Sequence, residues 1–226
     1  MKNLFLITLF LFASLIYATE QIPDVLKYNG KEYELRSFSP AHKYFQDRGF
    51  QPPKEAIQTT GNQKIFLFTY EIINEKLYLT DVEILLLEPN KKYPNMTDLN
   101  SKSIFKEYFP HEDKILMDVS KITVIPYGDL IEEDSWSDGY YKNYLIFEFK
   151  SGEITKKLDL SKQEYITESK KQFKLFKTTK EYKEVKKDIK AKKSVAFFNE
   201  FRPKKLQVNI NQYIERHIFY KIKHIQ

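Results

Sequence analysis

The stretch Ile65–Leu87, IFLFTYEIINEKLYLTDVEILLL, decides the fold. From Ile65 to Ile73 every residue but Glu71 is apolar, β-branched or aromatic, which predicts an interior strand. Asn74-Glu75 is the natural reversal, and Lys76 to Leu87 returns alongside. Strict alternation in the return would put Leu77, Leu79 and Asp81 on one side and Tyr78, Val82 and Ile84 on the other. The alternation fails at Leu85–Leu87, which points to burial on both faces or to a bulge at that end.

Toward the N-terminus, Lys27–Ser37 carries a strand, turn, strand pattern around Asn29-Gly30, the strongest two-residue hairpin signal, with Tyr28, Tyr33 and Leu35 as its apolar face. Ser39-Pro40 starts a short helix, Ala41, Tyr44 and Phe45 form its buried stripe, and Gly49 stops it. Pro52-Pro53 and the polar residues to Gln63 make a loop.

Toward the C-terminus, Glu88–Ser103 is polar and holds the triplet Asn95-Met96-Thr97, a glycosylation-type pattern that carries little weight alone. Ser103–Phe109 reads as one or two helical turns closed by Pro110, and Lys114–Ile125 as a strand. Tyr140–Lys150 and Glu153–Leu160 form a hairpin turned at Ser151-Gly152. Roughly six or seven strands with one or two short helices give residues 19–160 an α+β fold, mostly antiparallel β-sheet.

Residues 161–226 change character. Ser161-x-x-Glu164 and Thr178-x-x-Glu181 read as capping boxes that start helices, and Asn209 as the cap of a last one. The first buries Tyr165, Ile166, Phe173 and Phe176. At 100° per residue the second sorts into three stripes: apolar Tyr182, Val185 and Ile189; basic Lys180, Lys183, Lys187 and Lys190; acidic Glu181, Glu184 and Asp188. The last has Ile210, Tyr213, Ile214, His217, Ile218 and Ile225 on a broad face, with Lys221 in its middle and Phe219 opposite. That pattern fits docking onto the sheet domain better than lying in a lipid interface.

Charge follows the same division. Residues 19–160 hold 18 Lys plus Arg against 24 Asp plus Glu, a net of −6, while residues 161–226 hold 18 against 7, a net of +11. Such asymmetry marks a basic appendage that meets something anionic. Lys183 and Lys187 repel one another across one helical turn, at a cost of a few tenths of a kcal/mol. Water and salt, the acidic first half of the chain, or an external polyanion would each relieve it.

The first eighteen residues, MKNLFLITLFLFASLIYA, read as a cleaved export signal: one Lys, an apolar run from Leu4 to Tyr17, then Ala18 before polar Thr19 and Glu20. That run of 14 residues is shorter than the roughly 20 a spanning helix needs. An uncleaved anchor is the rival reading, because Ile16 is larger than the usual small residue before the cut. The expected location is the periplasm or the secreted fraction, with no transmembrane segment after cleavage. The chain has no cysteine, so it carries no Cys-linked lipid, disulfide, thiol nucleophile or thiolate ligand.

Catalytic signatures are sparse. There is no G-x-S-x-G, P-loop, G-x-G-x-x-G or H-E-x-x-H, and six glycines leave little for phosphate-cradling loops. The histidines are His42, His111, His217 and His224; the last two would be separated by about 10.5 Å of helical rise, too far to share a metal. No cofactor or metal is expected. The segment Gly128–Gly139, GDLIEEDSWSDG, is the densest acidic patch and contains the single tryptophan. As a calcium loop from Asp134 it fails, since Trp136 and Leu145 fall where oxygen ligands belong. It reads as a solvated turn whose aromatics enter the core, or as a looser calcium site or binding loop with Trp136, Tyr140 and Tyr141 as its aromatics. Glu132, Glu133 and Asp134 could supply paired carboxylates for hydrolysis, as any acidic loop could.

The residues Tyr28-Asn29-Gly30-Lys31-Glu32-Tyr33, then Tyr44-Phe45, Thr69-Tyr70-Glu71-Ile72 and Leu77–Ile84, resemble a family of exported bacterial proteins of unknown function found chiefly in Bacteroidota-type genomes. The resemblance covers most of the mature chain and implies location and fold, with no activity attached. A Trp-Arg-Gly-Tyr-like stretch of that family is replaced here by Lys64-Ile65-Phe66-Leu67. The expected function is a non-catalytic binding or structural protein of the envelope or secreted fraction. Its candidate contacts are Lys180, Lys183, Lys187 and Lys190 or the Trp136, Tyr140 and Tyr141 loop. The partner would be an anionic envelope surface, a polymer or another protein, with nucleic acid not expected. A carboxylate-based hydrolase and a toxin-neutralising interaction protein are the competing readings.

Overall fold

The computed structural model describes residues 21–88, 99–131, 139–200, 202 and 204–226. The leader, the Asn95-Met96-Thr97 triplet and Glu132–Asp138 with Trp136 lie outside them. The chain is α+β, and its described residues form nine strands in one mostly antiparallel sheet. They are β1 (Asp24–Tyr28), β2 (Lys31–Leu35), β3 (Phe66–Ile73), β4 (Lys76–Leu87), β5 (Leu99–Ser103), β6 (Ile115–Leu116), β7 (Lys121–Ile131), β8 (Tyr140–Lys150) and β9 (Glu153–Ser161). The order is β2-β1-β3-β4-β9-β8-β7, with β5 and β6 also paired to β4, and β1 runs parallel to β3.

Three reversals form where expected. Asn29-Gly30, Asn74-Glu75 and Ser151-Gly152 all hold positive φ at both central residues, the mirror-image turn whose twist matches that of the strands. At Gly152 a side chain is also sterically barred: a Cβ there would lie 2.3 Å from the Met117 carbonyl oxygen.

The β4 strand departs from regular alternation earlier than its sequence indicates. Its register against β3 passes from Thr69↔Asp81 to Tyr70↔Leu79, leaving Thr80 as an extra residue. That bulge flips the phase, so Val82 and Ile84 enter the same core as Leu77 and Leu79 instead of facing the other way. The polar stretch up to Ser103, in which the sequence marks no strand, contains β5, which pairs with Glu83–Leu87. Ser101 Oγ donates to Glu83 Oε1 at 2.7 Å and Ser103 Oγ to Asp81 Oδ1 at 2.6 Å. The expected single strand Lys114–Ile125 is two: β6 pairs with β4, the chain breaks at buried Met117, and β7 begins at Lys121. These two short strands raise the count above the six or seven expected.

The sheet curls until its ends approach. Tyr33 on β2 meets Tyr127 on β7 edge to face at 5.4 Å, and Tyr28 meets Phe147 at 5.1 Å. The concave side holds the larger core, plugged at one end by α1 (Pro40–Asp47) and α2 (Phe105–Tyr108). Phe45 of α1 is its hub, with Phe50, Phe66, Phe68 and Tyr108 rings all within 5.3 Å centroid to centroid. Ser39 sits at the N-cap of α1 as expected but makes no capping bond, and Gly49 closes the helix with positive φ.

The convex side of β7–β9 is covered by α3 (Lys162–Phe176), α4 (Lys180–Ala191), α5 (Ser194–Asn199) and α6 (Ile210–Arg216), with 3₁₀ turns at Lys204–Leu206 and Ile218–Tyr220. β8 therefore serves two cores: Leu145, Phe147 and Phe149 face inward, while Tyr144 and Ile146 pack beneath the helices. Each such side chain contributes about 1.5–3 kcal/mol on burial. The Tyr144 ring stacks on Tyr165 of α3 at 3.9 Å.

The capping boxes at Ser161/Glu164 and Asn209/Gln212 start α3 and α6. The last helix is shorter than its apolar pattern indicates. It ends at Arg216, and the tighter 3₁₀ turn that follows rotates Phe219 inward, where it is buried against the sheet instead of lying opposite the apolar face. Ile225 then reaches the same core from an extended strap. The strap is held at Glu148, which accepts Ile225 N–H at 2.8 Å and contacts His224 Nδ1 at 2.7 Å. At Gln172 the side chain donates to Gln226 O at 2.7 Å and accepts its N–H at 3.1 Å.

Candidate functional site

The basic stripe sits on α4, whose start is one residue later than Thr178-x-x-Glu181 indicates. Thr178 Oγ1 turns back to donate to Leu175 O, and Thr179 is the cap, accepting Tyr182 N–H at 3.3 Å. The third helical residue is then Tyr182, so no glutamate completes a box.

Once started, α4 is oriented by its apolar stripe. Ile189 is buried, Tyr182 and Val185 are half-buried against the same core, and Tyr182 Oη donates to Asn211 Oδ1 at 2.7 Å. This anchoring turns Lys180, Lys183, Lys187 and Lys190 outward, and all four are exposed. Among the described residues none of the four has a carboxylate partner; the ion pair α4 makes is Asp188 with Lys192, at 3.0 Å. No carboxylate of the acidic first half forms an ion pair with them among the described residues. The repulsion between Lys183 and Lys187 is left to solvent or to a ligand.

Tyr140 and Tyr141, grouped in the sequence with Trp136, are half-buried instead of projecting. Tyr140 lies beneath two cations, with the Arg216 guanidinium 4.8 Å and Lys162 Nζ 5.4 Å from its ring centre. Tyr141 N–H donates to the Tyr144 hydroxyl at 2.9 Å. Burial pushes the Tyr144 phenol up to about 12, and burial raises Tyr165 as well. The two tyrosines thus tie β8 to α3 and α6, beside clefts of about 160 and 210 Å³, and are not part of the lysine stripe. Trp136 falls outside the described residues.

A cleft of about 570 Å³ lies on the concave side and is lined by Leu35, Arg36, Ser39, His42, Gln63 and Lys64. Under it Asp24 is completely buried, its Oδ1 accepting from Lys64 Nζ at 2.7 Å and from Phe68 N–H at 3.3 Å. The buried Tyr70 hydroxyl accepts Ala41 N–H at 3.0 Å; burial first and the Asp24 charge second hold its proton on. Sequence reasoning missed this group, although an aspartate opening the strand DVLKY on its inward phase was a usable signal. With one carboxylate already paired, its evident work is tying β1 and α1 to β3.

Glu181 and Glu184 line a groove of about 350 Å³ between α4 and the strap, beside Phe176. Both are exposed, whereas a hydrolytic pair needs one carboxyl kept protonated by burial. The histidines are dispersed: His42 lines the concave cleft, His217 packs among Phe198 and Tyr213, and His224 is on Glu148. No three His, Asp or Glu side chains converge on a metal position among the described residues.

No protein-family model, curated protein or solved structure matches this chain.

Proposed function

We propose that this is a non-catalytic binding protein of the cell envelope or secreted fraction, which holds an anionic surface or polymer through the lysine stripe of α4. The observation that carries the reading is the exposure of Lys180, Lys183, Lys187 and Lys190 on one helix face with no carboxylate partner among the described residues. Four ammonium groups on a helix anchored to its helical neighbours form a cationic surface, and each Lys near an anionic membrane contributes about 1 kcal/mol. The net charge of +11 over residues 161–226 raises the potential around them. The export signal read at residues 1–18 and the resemblance to exported Bacteroidota-type proteins support the envelope setting. Among the described residues no helix is long and apolar enough to cross a membrane.

Replacing all four lysines by Gln tests the reading. Retention on anionic vesicles or on immobilised dextran sulfate at low salt should fall about a hundredfold or more, and wild-type retention should weaken steeply as salt rises. Retention unchanged by the substitutions rejects it.

A further inference from the structure

Among the described large apolar side chains Phe197 of α5 is the most exposed, at 73%. Its neighbours explain why it is not simply a core residue that missed its place. Val195 and Phe198 share the inward face of α5: Val195 packs against the helical core, and the Phe198 ring meets Tyr213 at 5.2 Å and His217 at 5.7 Å. With the inward face filled, Phe197 is turned outward by the helical period. It stands one turn beyond Lys193, whose carbonyl accepts its N–H at 3.0 Å. Lys190, Lys192 and Lys193, all exposed, end the lysine-bearing helix just before it.

An aromatic ring held in water costs free energy, and a soluble polyanion gives it nothing to enter. The interface of an anionic bilayer offers both phosphate charge for the lysines and an apolar layer for the ring. We propose that the partner of the basic surface is an anionic lipid bilayer, with Phe197 entering the acyl boundary while Lys190 and Lys193 meet the headgroups. This rests on the polyanion reading above and narrows it from any anionic partner to lipid. Because α4 spends its apolar stripe on the helical core, the contact is a peripheral one made by a single wedge and a charged rim.

The absence of cysteine makes the test clean. Phe197→Cys in the full chain, labelled with an environment-sensitive fluorophore, is mixed with vesicles of phosphatidylglycerol and phosphatidylcholine, with pure phosphatidylcholine vesicles, and with dextran sulfate. Lys31→Cys, exposed on β2, carries the control label. The expected result is a blue shift and brightening at position 197 on phosphatidylglycerol vesicles alone. Phe197→Ala should weaken vesicle binding about tenfold and leave dextran sulfate binding unchanged; Phe197→Leu should keep most of the affinity, and circular dichroism should show all variants folded. Vesicle binding with no spectral change at 197, or with Phe197→Ala as tight as wild type, overturns the lipid wedge while the polyanion reading stands. Failure to bind either vesicles or dextran sulfate at low salt overturns both.

Discussion

Glu148, near the C-terminal end of β8, accepts the backbone N–H of Ile225 at 2.8 Å across 77 residues of sequence, joining the last stretch of chain to a strand buried on both faces. Its other oxygen faces His224 at 2.7 Å, and Lys156 Nζ donates to the Ile225 carbonyl at 3.2 Å. Glu148→Ala would leave a buried N–H without an acceptor, costing about 1–3 kcal/mol. Urea unfolding should show that loss, and amide exchange at Ile225 should accelerate well beyond it, because the strap detaches before the sheet opens. Equal exchange in both proteins would show that the strap is held by its apolar contacts alone.

The Thr80 bulge separates side-chain chemistry from register. Thr80→Ala keeps the extra residue and should cost less than about 1 kcal/mol. Deleting Thr80 should still give a folded protein, because Leu77, Leu79, Val82 and Ile84 then alternate strictly toward one core and the register against β3 becomes continuous. Circular dichroism and soluble yield check both variants, and a deletion variant that fails to fold would refute the phase argument.

Alkaline stability follows from two phenols. Burial, then the 2.6 Å hydrogen bond to Asp159 and its charge, push Tyr127 up to about 12, and burial pushes Tyr144 to about the same value. The folded protein therefore keeps protons that the unfolded chain, titrating near 10, has released. Their stabilisation is complete below pH 10 and disappears as pH climbs through about 12. Phenolate absorbance should rise late for these residues and coincide with unfolding, and Tyr127→Phe should remove part of the late signal. A titration completed near pH 10 with the fold intact would contradict this.

Asp24→Ala strips Lys64 Nζ and Phe68 N–H of their shared acceptor. Loss of one partner of a buried pair costs about 3–5 kcal/mol, and the partial exposure of Lys64 places the expected loss at the low end. Thermal unfolding measures it. Polyanion binding, on the far side of the sheet, should not change.

What could be read from residue order was what is set within a few residues. The Asn29-Gly30, Asn74-Glu75 and Ser151-Gly152 reversals and the Ser161 and Asn209 caps depend on local dihedrals and short hydrogen bonds, and they formed as read. β5 was illegible because Leu99–Ser103 is a strand by virtue of the β4 edge beside it, with serines bonding to carboxylates instead of burying apolar faces. Phe219 was misplaced because helical periodicity was carried past Arg216, where the chain tightens. The lysine stripe was legible from period alone. That its members lack acidic partners was not, since either half of the chain could have supplied them.

Because β8 is shared, cutting the chain after Ser161 would bare Ile122, Val124, Tyr144 and Ile146 along one side of the sheet. A strand-only fragment should therefore aggregate in place of surviving as a tidy minimal version of the protein. The cationic layer is thus also the cover of the second core, and its charge can be removed with the fold kept only by substitution at the surface.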